Sequence, residues 1–289
     1  MLRALLLGAF ALFLSGPTSK SQTLCEGFLP ENDLYISVTE ASGGGTTQAD
    51  FNAALDQIEK YYTPIVAAKG GRLLVNRDWN SGTVNASAER IGNTYKINMY
   101  GGLARHASMN KDGFMLVACH EMGHHIGGAP KIESWWGAND WATNEGGSDY
   151  FASLRCLRQM FLEADNAAFV QAGGIDATLQ TKCEETYDTQ SEENLCMRIG
   201  MAGMVGASLF QSMRENPVPL NFATPDTQVV SRTADSHPAP QCRLDTYFQG
   251  GICRHDMNVE LSDSDATTGT CHVSTGQTSG LRPRCWFAP

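Results

Sequence analysis

His120-Glu121-Met122-Gly123-His124 sets two imidazoles four positions apart, with a carboxylate directly after the first. On a helix, residues at i and i+4 stand about 40° apart around the axis, so both rings point to one side and can share one metal ion. Imidazole nitrogens at this spacing suit zinc, and Glu121 projects beside them, where it can take a proton from an attacking water. Two imidazoles do not complete a site: a third protein ligand and an open position are needed. His125 lies about 140° from His120 on a regular helix, so it is expected at the surface or behind the ligands. His106 is expected at a rim or on the surface. Trp135, Trp136 and Trp141 are expected to floor a subsite or to cover the core.

These residues need a rigid frame. Helical patterning begins near Asp112 and resumes over residues 140–163 and 191–213. Phe51, Leu55, Ile58, Tyr62 and Ile65 recur at helical spacing after Thr46-Thr47, a natural N-terminal cap. Strand-like runs at 72–76, 83–90 and 94–100 are separated by the turn formers Asn80-Ser81-Gly82 and Gly92-Asn93. The expected architecture is α+β: a small antiparallel sheet beside a mainly helical body, with a cysteine-rich tail at 254–289. No repeat interrupts residues 22–289, so a single domain is expected.

The 289 residues are 42% hydrophobic and 18% charged, the balance of a globular chain with a sizeable core. With 21 basic against 31 acidic side chains, the net charge of −10 offers no cationic surface for nucleic acid, which is excluded as a partner. Residues 1–21 read as a signal peptide: Arg3, the apolar run 4–14, then Ser19-Lys20-Ser21 as a cleavage site. Export to a periplasm or the exterior follows. The apolar stretch 199–210 is too short to span a bilayer, so no transmembrane segment is expected in the mature chain. The nine cysteines fit an oxidising compartment. Cys119, inside the run 114–118, is expected as a buried free thiol. The pairs expected among the others are Cys183–Cys196, Cys242–Cys253 and Cys271–Cys285. The second pair needs a reversal at Gly250-Gly251, because a continuous helix would hold its cysteines about 16 Å apart. A second metal site built from His255 and His272 with Cys253 and Cys271 is less favoured than oxidised bridges.

In the metzincin pattern HExxHxxGxxH, Gly127 fills the glycine position, but Pro130 stands where the third ligand belongs, so that pattern fails. Asn144-Glu145-Gly146-Gly147-Ser148-Asp149 resembles the NExxSD signature of gluzincin peptidases. The resemblance implies Glu145 as third ligand and Asp149 as the hydrogen-bond partner that orients a ligand imidazole. Asn85-Ala86, residues 97–103 and residues 110–124 are similar to the passage from sheet to active helix in the CAAX prenyl protease and HtpX family. Ser236-His237-Pro238-Ala239-Pro240-Gln241-Cys242-Arg243 is similar to that family's HP segment, with an arginine six residues after the histidine. The likeness covers about residues 74–243. Known members carry transmembrane helices and a longer interval before the third ligand, whereas Glu145 follows His124 by 21 positions. The chain therefore resembles a compact soluble relative.

This resemblance implies zinc-dependent amide hydrolysis with a zincin-like fold. Glu121 would be the general base, His237 the donor to the oxyanion, and Arg243 a group behind or beside it. The expected substrate is an extended or unfolded polypeptide, added as a strand to residues 95–100 at the sheet's edge. Two other classes remain open: a non-catalytic envelope chaperone or assembly factor on the same scaffold, and a zinc hydrolase of a cell-wall amide.

Overall fold

The computed structural model describes residues 22–23, 27–40, 45–133 and 141–289. The expected leader 1–21, Cys25, Trp135 and Trp136 lie outside the described residues. Four strands, β1 (Gln22–Thr23), β2 (Arg72–Asp78), β3 (Ala86–Ile91) and β4 (Thr94–Tyr100), form one sheet in the order β1-β3-β4-β2. The helices are α1 (Gln48–Ala68), α2 (Gly101–Arg105), α3 (Lys111–Ile126) and α4 (Glu145–Phe151), then α5 (Leu157–Phe161), α6 (Asn166–Gln171), α7 (Ala177–Thr186), α8 (Gln190–Ser212) and α9 (Pro240–Ile252). The fold is mixed α+β, as its patterning predicts. No helix among the described residues is long and apolar enough to cross a membrane.

The sheet corrects two expectations. β3 and β4 make the antiparallel hairpin that Gly92-Asn93 predicts, but β2 pairs with β4 in parallel, so the sheet is mixed. β4 therefore lies in the interior, hydrogen-bonded on both sides, and residues 95–100 offer no edge to a peptide. The physical reason is the connection after β2, which passes over the position that β4 later fills and enters β3 beyond it, instead of turning back in a tight hairpin. Burial agrees: Tyr95, Ile97, Asn98 and Met99 of β4 are buried, while every second residue of β2 is exposed and only Val75 of it is buried. On the side that borders α3, the two-residue β1 covers only Glu89 and Arg90 of β3, so residues 86–88 have no strand beyond them.

α3 is a core helix, buried on every face from Asp112 to His125. Asn110 caps it by accepting a hydrogen bond from the Gly113 N–H at 2.9 Å. Arg198 of α8 grips Asp112 with two nitrogens at 2.8 and 2.9 Å, so the first turn is fixed to the helical body. α1 starts at Thr47, whose hydroxyl accepts from the Asp50 N–H, and it packs Phe51, Leu55, Ile58, Tyr62 and Val66 into the same core. The helical run expected from residue 140 starts at α4, with Asn144 as its cap. A π-helical turn, Ala152–Cys156, joins α4 to α5.

Four disulfides are formed: Cys119–Cys156, Cys183–Cys196, Cys242–Cys285 and Cys253–Cys271. Cys183–Cys196 was expected; the other pairings correct the sequence reading. Cys119 is not a free thiol but ties α3 to the π-helical turn. Cys242 and Cys253 stand at opposite ends of one unbroken α9, too far apart to bond, and each takes a cysteine of the tail instead. Gly250 makes no reversal: a Cβ there would lie 2.1 Å from the Ser153 hydroxyl oxygen, so it is the contact through which α9 packs on the π-helical turn. The tail is anchored further by Trp286, fully buried, whose indole N–H donates to Thr246 at 2.9 Å. Because the Cys119–Cys156 bond closes a separation of 37 residues, the double substitution Cys119→Ala/Cys156→Ala should cost about 4 kcal/mol of stability. Denaturant melts of the oxidised protein will measure this, and an unchanged midpoint would remove the bond from the frame of the site.

Candidate metal centre

α3 and α4 touch at glycine. A Cβ on Gly123 would stand 2.9 Å from the Ser148 Cα, so the small residue inside the His120–His124 interval is what lets the two helices approach. That approach brings His120, His124 and Glu145 together, all buried, with one potential ligand atom of each within 4.8 Å of the others. His120 Nε2 lies 3.3 Å from Glu145 Oε2, and His124 Nε2 lies 3.6 Å from Glu145 Oε1. Donors about 2.0–2.1 Å from a tetrahedral ion stand about 3.3–3.4 Å apart, so these separations fit a common central cation.

The outer nitrogens fix the tautomers. His120 Nδ1–H donates to Asp149 Oδ1 at 2.7 Å, and His124 Nδ1–H donates to the Thr143 carbonyl at 2.8 Å. Each ring therefore turns its Nε2 inward. His120 Nε2, Glu145 Oε2 and both Glu121 carboxylate oxygens are buried without a well-formed hydrogen bond. Buried polar atoms seldom stay unpaired, and those of His120 and Glu145 lie with His124 in one group within 4.8 Å. The donor set fits a cation, and its nitrogen and oxygen chemistry leaves the metal's identity open.

Asp149 Oδ1 also accepts from Arg243 Nη2 at 2.5 Å and from the Tyr247 hydroxyl at 2.7 Å. Burial opposes the Asp149 charge, but Arg243 holds the carboxyl below its ordinary value. Burial likewise disfavours a charged His120, yet Asp149 and Glu145 outweigh it and lift the ring to about 9. Burial raises Glu121 to about 8 and lowers His124 to about 4. Glu145 is held far below the carboxylate range by the His124 and His120 rings, against the cost of its burial.

His237 sits beside the trio on the loop ahead of α9. Its Nε2 is 3.3 Å from Glu145 Oε2, and burial lowers its pKa, so the ring is neutral at pH 7. Arg243 stands behind Asp149, with its guanidinium carbon 3.9 Å from the Phe210 ring centre. His125 is neither at the surface nor behind the ligands. It is buried, its Nε2–H donates to the Lys96 carbonyl at 3.0 Å and its ring stacks on Trp141, so it fastens α3 to β4. His106 lies apart, accepting from the Ser108 N–H. Neither cysteine near His255 and His272 is free to bind metal, since Cys253 and Cys271 are bonded to each other. Sequence reasoning missed Tyr247, four residues after Arg243 on the same face of α9, and the Thr143 carbonyl, which no side-chain pattern announces.

Comparison with protein-family models, with curated proteins and with solved structures found no match.

In the metal-free protein at pH 7, His120 and Glu121 lie below their raised values of about 9 and about 8 and hold protons, whereas His124 holds none. Binding a divalent cation should therefore expel about two protons at pH 7, and affinity should climb with pH until it levels off near pH 9. Calorimetry in buffers of different ionisation enthalpy counts these protons; none released would separate the cation from these residues. Glu145→Ala should weaken binding far more than Asp149→Asn, and full metal occupancy in Glu145→Ala would remove that carboxylate from the ligand set.

Proposed function

We propose that the chain is an exported zinc-dependent endopeptidase of the gluzincin type, a compact relative of the CAAX prenyl protease and HtpX family acting on extended or unfolded polypeptides. The reading is carried by Glu121. A side chain that only supports a metal scaffold is hydrogen-bonded, whereas both Glu121 oxygens are buried and unpaired beside the ligand trio. Burial raises this carboxyl to about 8 in the metal-free protein, and the charge of a bound cation would bring it down to where it is ionised and can accept a proton. This counts against a scaffold without turnover. The four disulfides support export to an oxidising compartment, periplasmic or extracellular.

Zinc held by His120, His124 and Glu145 would supply Lewis acidity toward a carbonyl oxygen and lower the pKa of water. Glu121 takes the proton of the attacking water and hands it to the leaving amine. Neutral His237 offers its Nε2–H to the oxyanion that develops on the cleaved carbonyl. Asp149 keeps His120 in its ligand tautomer, and Arg243 with Tyr247 keeps Asp149 ionised and in place. Burial of the whole group excludes bulk water, which strengthens each of these interactions.

Denatured casein should be digested by the zinc-loaded protein and spared after chelation. Glu121→Gln should retain zinc while losing about 10²–10⁴-fold in rate. His237→Phe should lower kcat by about 10²-fold with KM and zinc content unchanged. Full activity in Glu121→Gln would sink the mechanism, and unchanged kcat in His237→Phe would return that ring to a structural role. A zinc-loaded protein that spares casein but releases amine from cell-wall amides would shift the reading to the non-peptide hydrolase.

A further inference from the structure

Gly27, Phe28 and Leu29 lie across the metal centre as a bound peptide would. The Gly27 carbonyl accepts a hydrogen bond from His237 Nε2 at 2.9 Å, and the same nitrogen is 3.3 Å from Glu145 Oε2. The Phe28 N–H donates to the Ala86 carbonyl at 2.8 Å. One residue on, the Leu29 N–H donates to Asn85 Oδ1 at 2.9 Å, and the Leu29 carbonyl accepts from Asn85 Nδ2 at 3.1 Å. Upstream, β1 lies antiparallel on β3, opposite Glu89 and Arg90. The segment is therefore held through its backbone along the sheet edge that borders α3, which is how a peptide of arbitrary sequence is held by strand addition.

The side chains add specificity to this contact. Phe28 is fully buried, with its ring edge-on to His120 at 5.1 Å and to Phe210 at 5.1 Å, and the Arg243 guanidinium carbon is 4.8 Å from the ring centre. Gly27 has φ +100°, and a Cβ there would fall 2.7 Å from the Ala86 carbonyl oxygen and from both Asn85 side-chain polar atoms. No larger residue turns its carbonyl toward His237 without clashing with β3.

We infer that the Gly27–Phe28 bond is the protein's first substrate: the zinc-loaded chain hydrolyses itself there. This rests on the peptidase reading of the same site. Water adds to the Gly27 carbonyl carbon while Glu121 takes its proton, and His237 steadies the resulting oxyanion. The C–N bond then breaks as the proton passes from Glu121 to the Phe28 nitrogen, the new Gly27 carboxylic acid gives its own proton to that amine, and the products are a Gly27 carboxylate and a Phe28 ammonium. The cut changes what holds the segment. The amide nitrogen has one hydrogen, satisfied by Ala86, but the new ammonium has three and is charged in a buried place next to Arg243. Its hold weakens, and the cleft opens to other polypeptides.

The experiment follows the full exported chain by intact mass and N-terminal sequencing after zinc addition, with casein digestion measured in parallel. Wild type should gain an N-terminus at Phe28 at a rate independent of protein concentration, and Glu121→Gln should stay whole. In zinc-loaded Glu121→Gln the Phe28 and Leu29 amides should resist hydrogen exchange, as amides bonded to Ala86 and Asn85 must; fast exchange would show that the segment does not occupy the cleft. If casein is digested while Gly27–Phe28 stays intact, self-cleavage is overturned and the peptidase reading stands. Two variants loosen the segment, Phe28→Ala and, should that one not fold, Gly27→Ala, whose Cβ would push the segment off Ala86 and Asn85 while keeping the buried Phe28 ring. Should either digest casein while the wild type neither cuts itself nor digests it, the segment is a blocker and not a substrate. If no folded, zinc-loaded form digests casein or itself, the endopeptidase reading fails together with this one.

Discussion

One carboxylate oxygen holds three helices in register. Asp149 Oδ1, on α4, accepts hydrogen bonds from His120 of α3 and from Arg243 and Tyr247 of α9, and Asp149, His120, Arg243 and Tyr247 are all fully or almost fully buried. A lone buried carboxylate would cost several kcal/mol in lost hydration. Three donors on one oxygen offset that cost only in one relative placement of the helices, so the interaction specifies geometry more than it adds stability. The same placement turns His120 Nε2 toward His124 and Glu145. Removing Arg243 would leave Asp149 uncompensated, and removing Asp149 would leave a guanidinium buried between Phe28 and Phe210.

Legibility in the sequence follows the range of the interaction. The His120/His124 pair, Glu121, and the Glu145/Asp149 pair each lie within one turn of helix, so their relative directions follow from 3.6 residues per turn. Asn110, Asn144 and Thr47 announce their helix starts because capping is local too. Strand order is not local. Nothing in residues 72–100 distinguishes a simple meander from the β3-β4-β2 order, and the expectation of a β4 edge failed for that reason. In the structure four of the seven β4 residues are buried, and because one of them is the polar Asn98 the sequence does not announce that this strand is covered on both faces.

Cysteine pairing failed for a related reason. Proximity in sequence favoured Cys242–Cys253, but those residues bracket one α9, and a helix is a spacer that forbids the bond. The tail instead returns across α9, and Cys285 and Cys271 close on its two ends. This arrangement matters to the centre, because α9 carries Arg243 and Tyr247. Disulfides at its first and last turns, Trp286 against Gly146 of α4, and Gly250 against the π-helical turn all resist sliding of α9 along α4. The cysteine-rich tail is thus a clamp on the helix that positions Asp149, although none of its residues reaches the ligand trio.

Charge balance then explains why this interior suits a dication. Glu121, Glu145 and Asp149 bring three negative charges when ionised, Arg243 brings one positive charge, and neutral imidazoles bring none, which leaves two negative charges in a buried space. Isolated charge in such a space is neutralised by whatever is available. Without a metal the available species is the proton, and the raised values of about 9 for His120 and about 8 for Glu121 place two of them there at pH 7. A divalent cation would replace both at equal charge, free the His120 lone pair for coordination and leave Glu121 ionised. Metal and protons would thus compete for the same two charges, and the outcome of that competition sets whether the buried carboxylate can accept a proton.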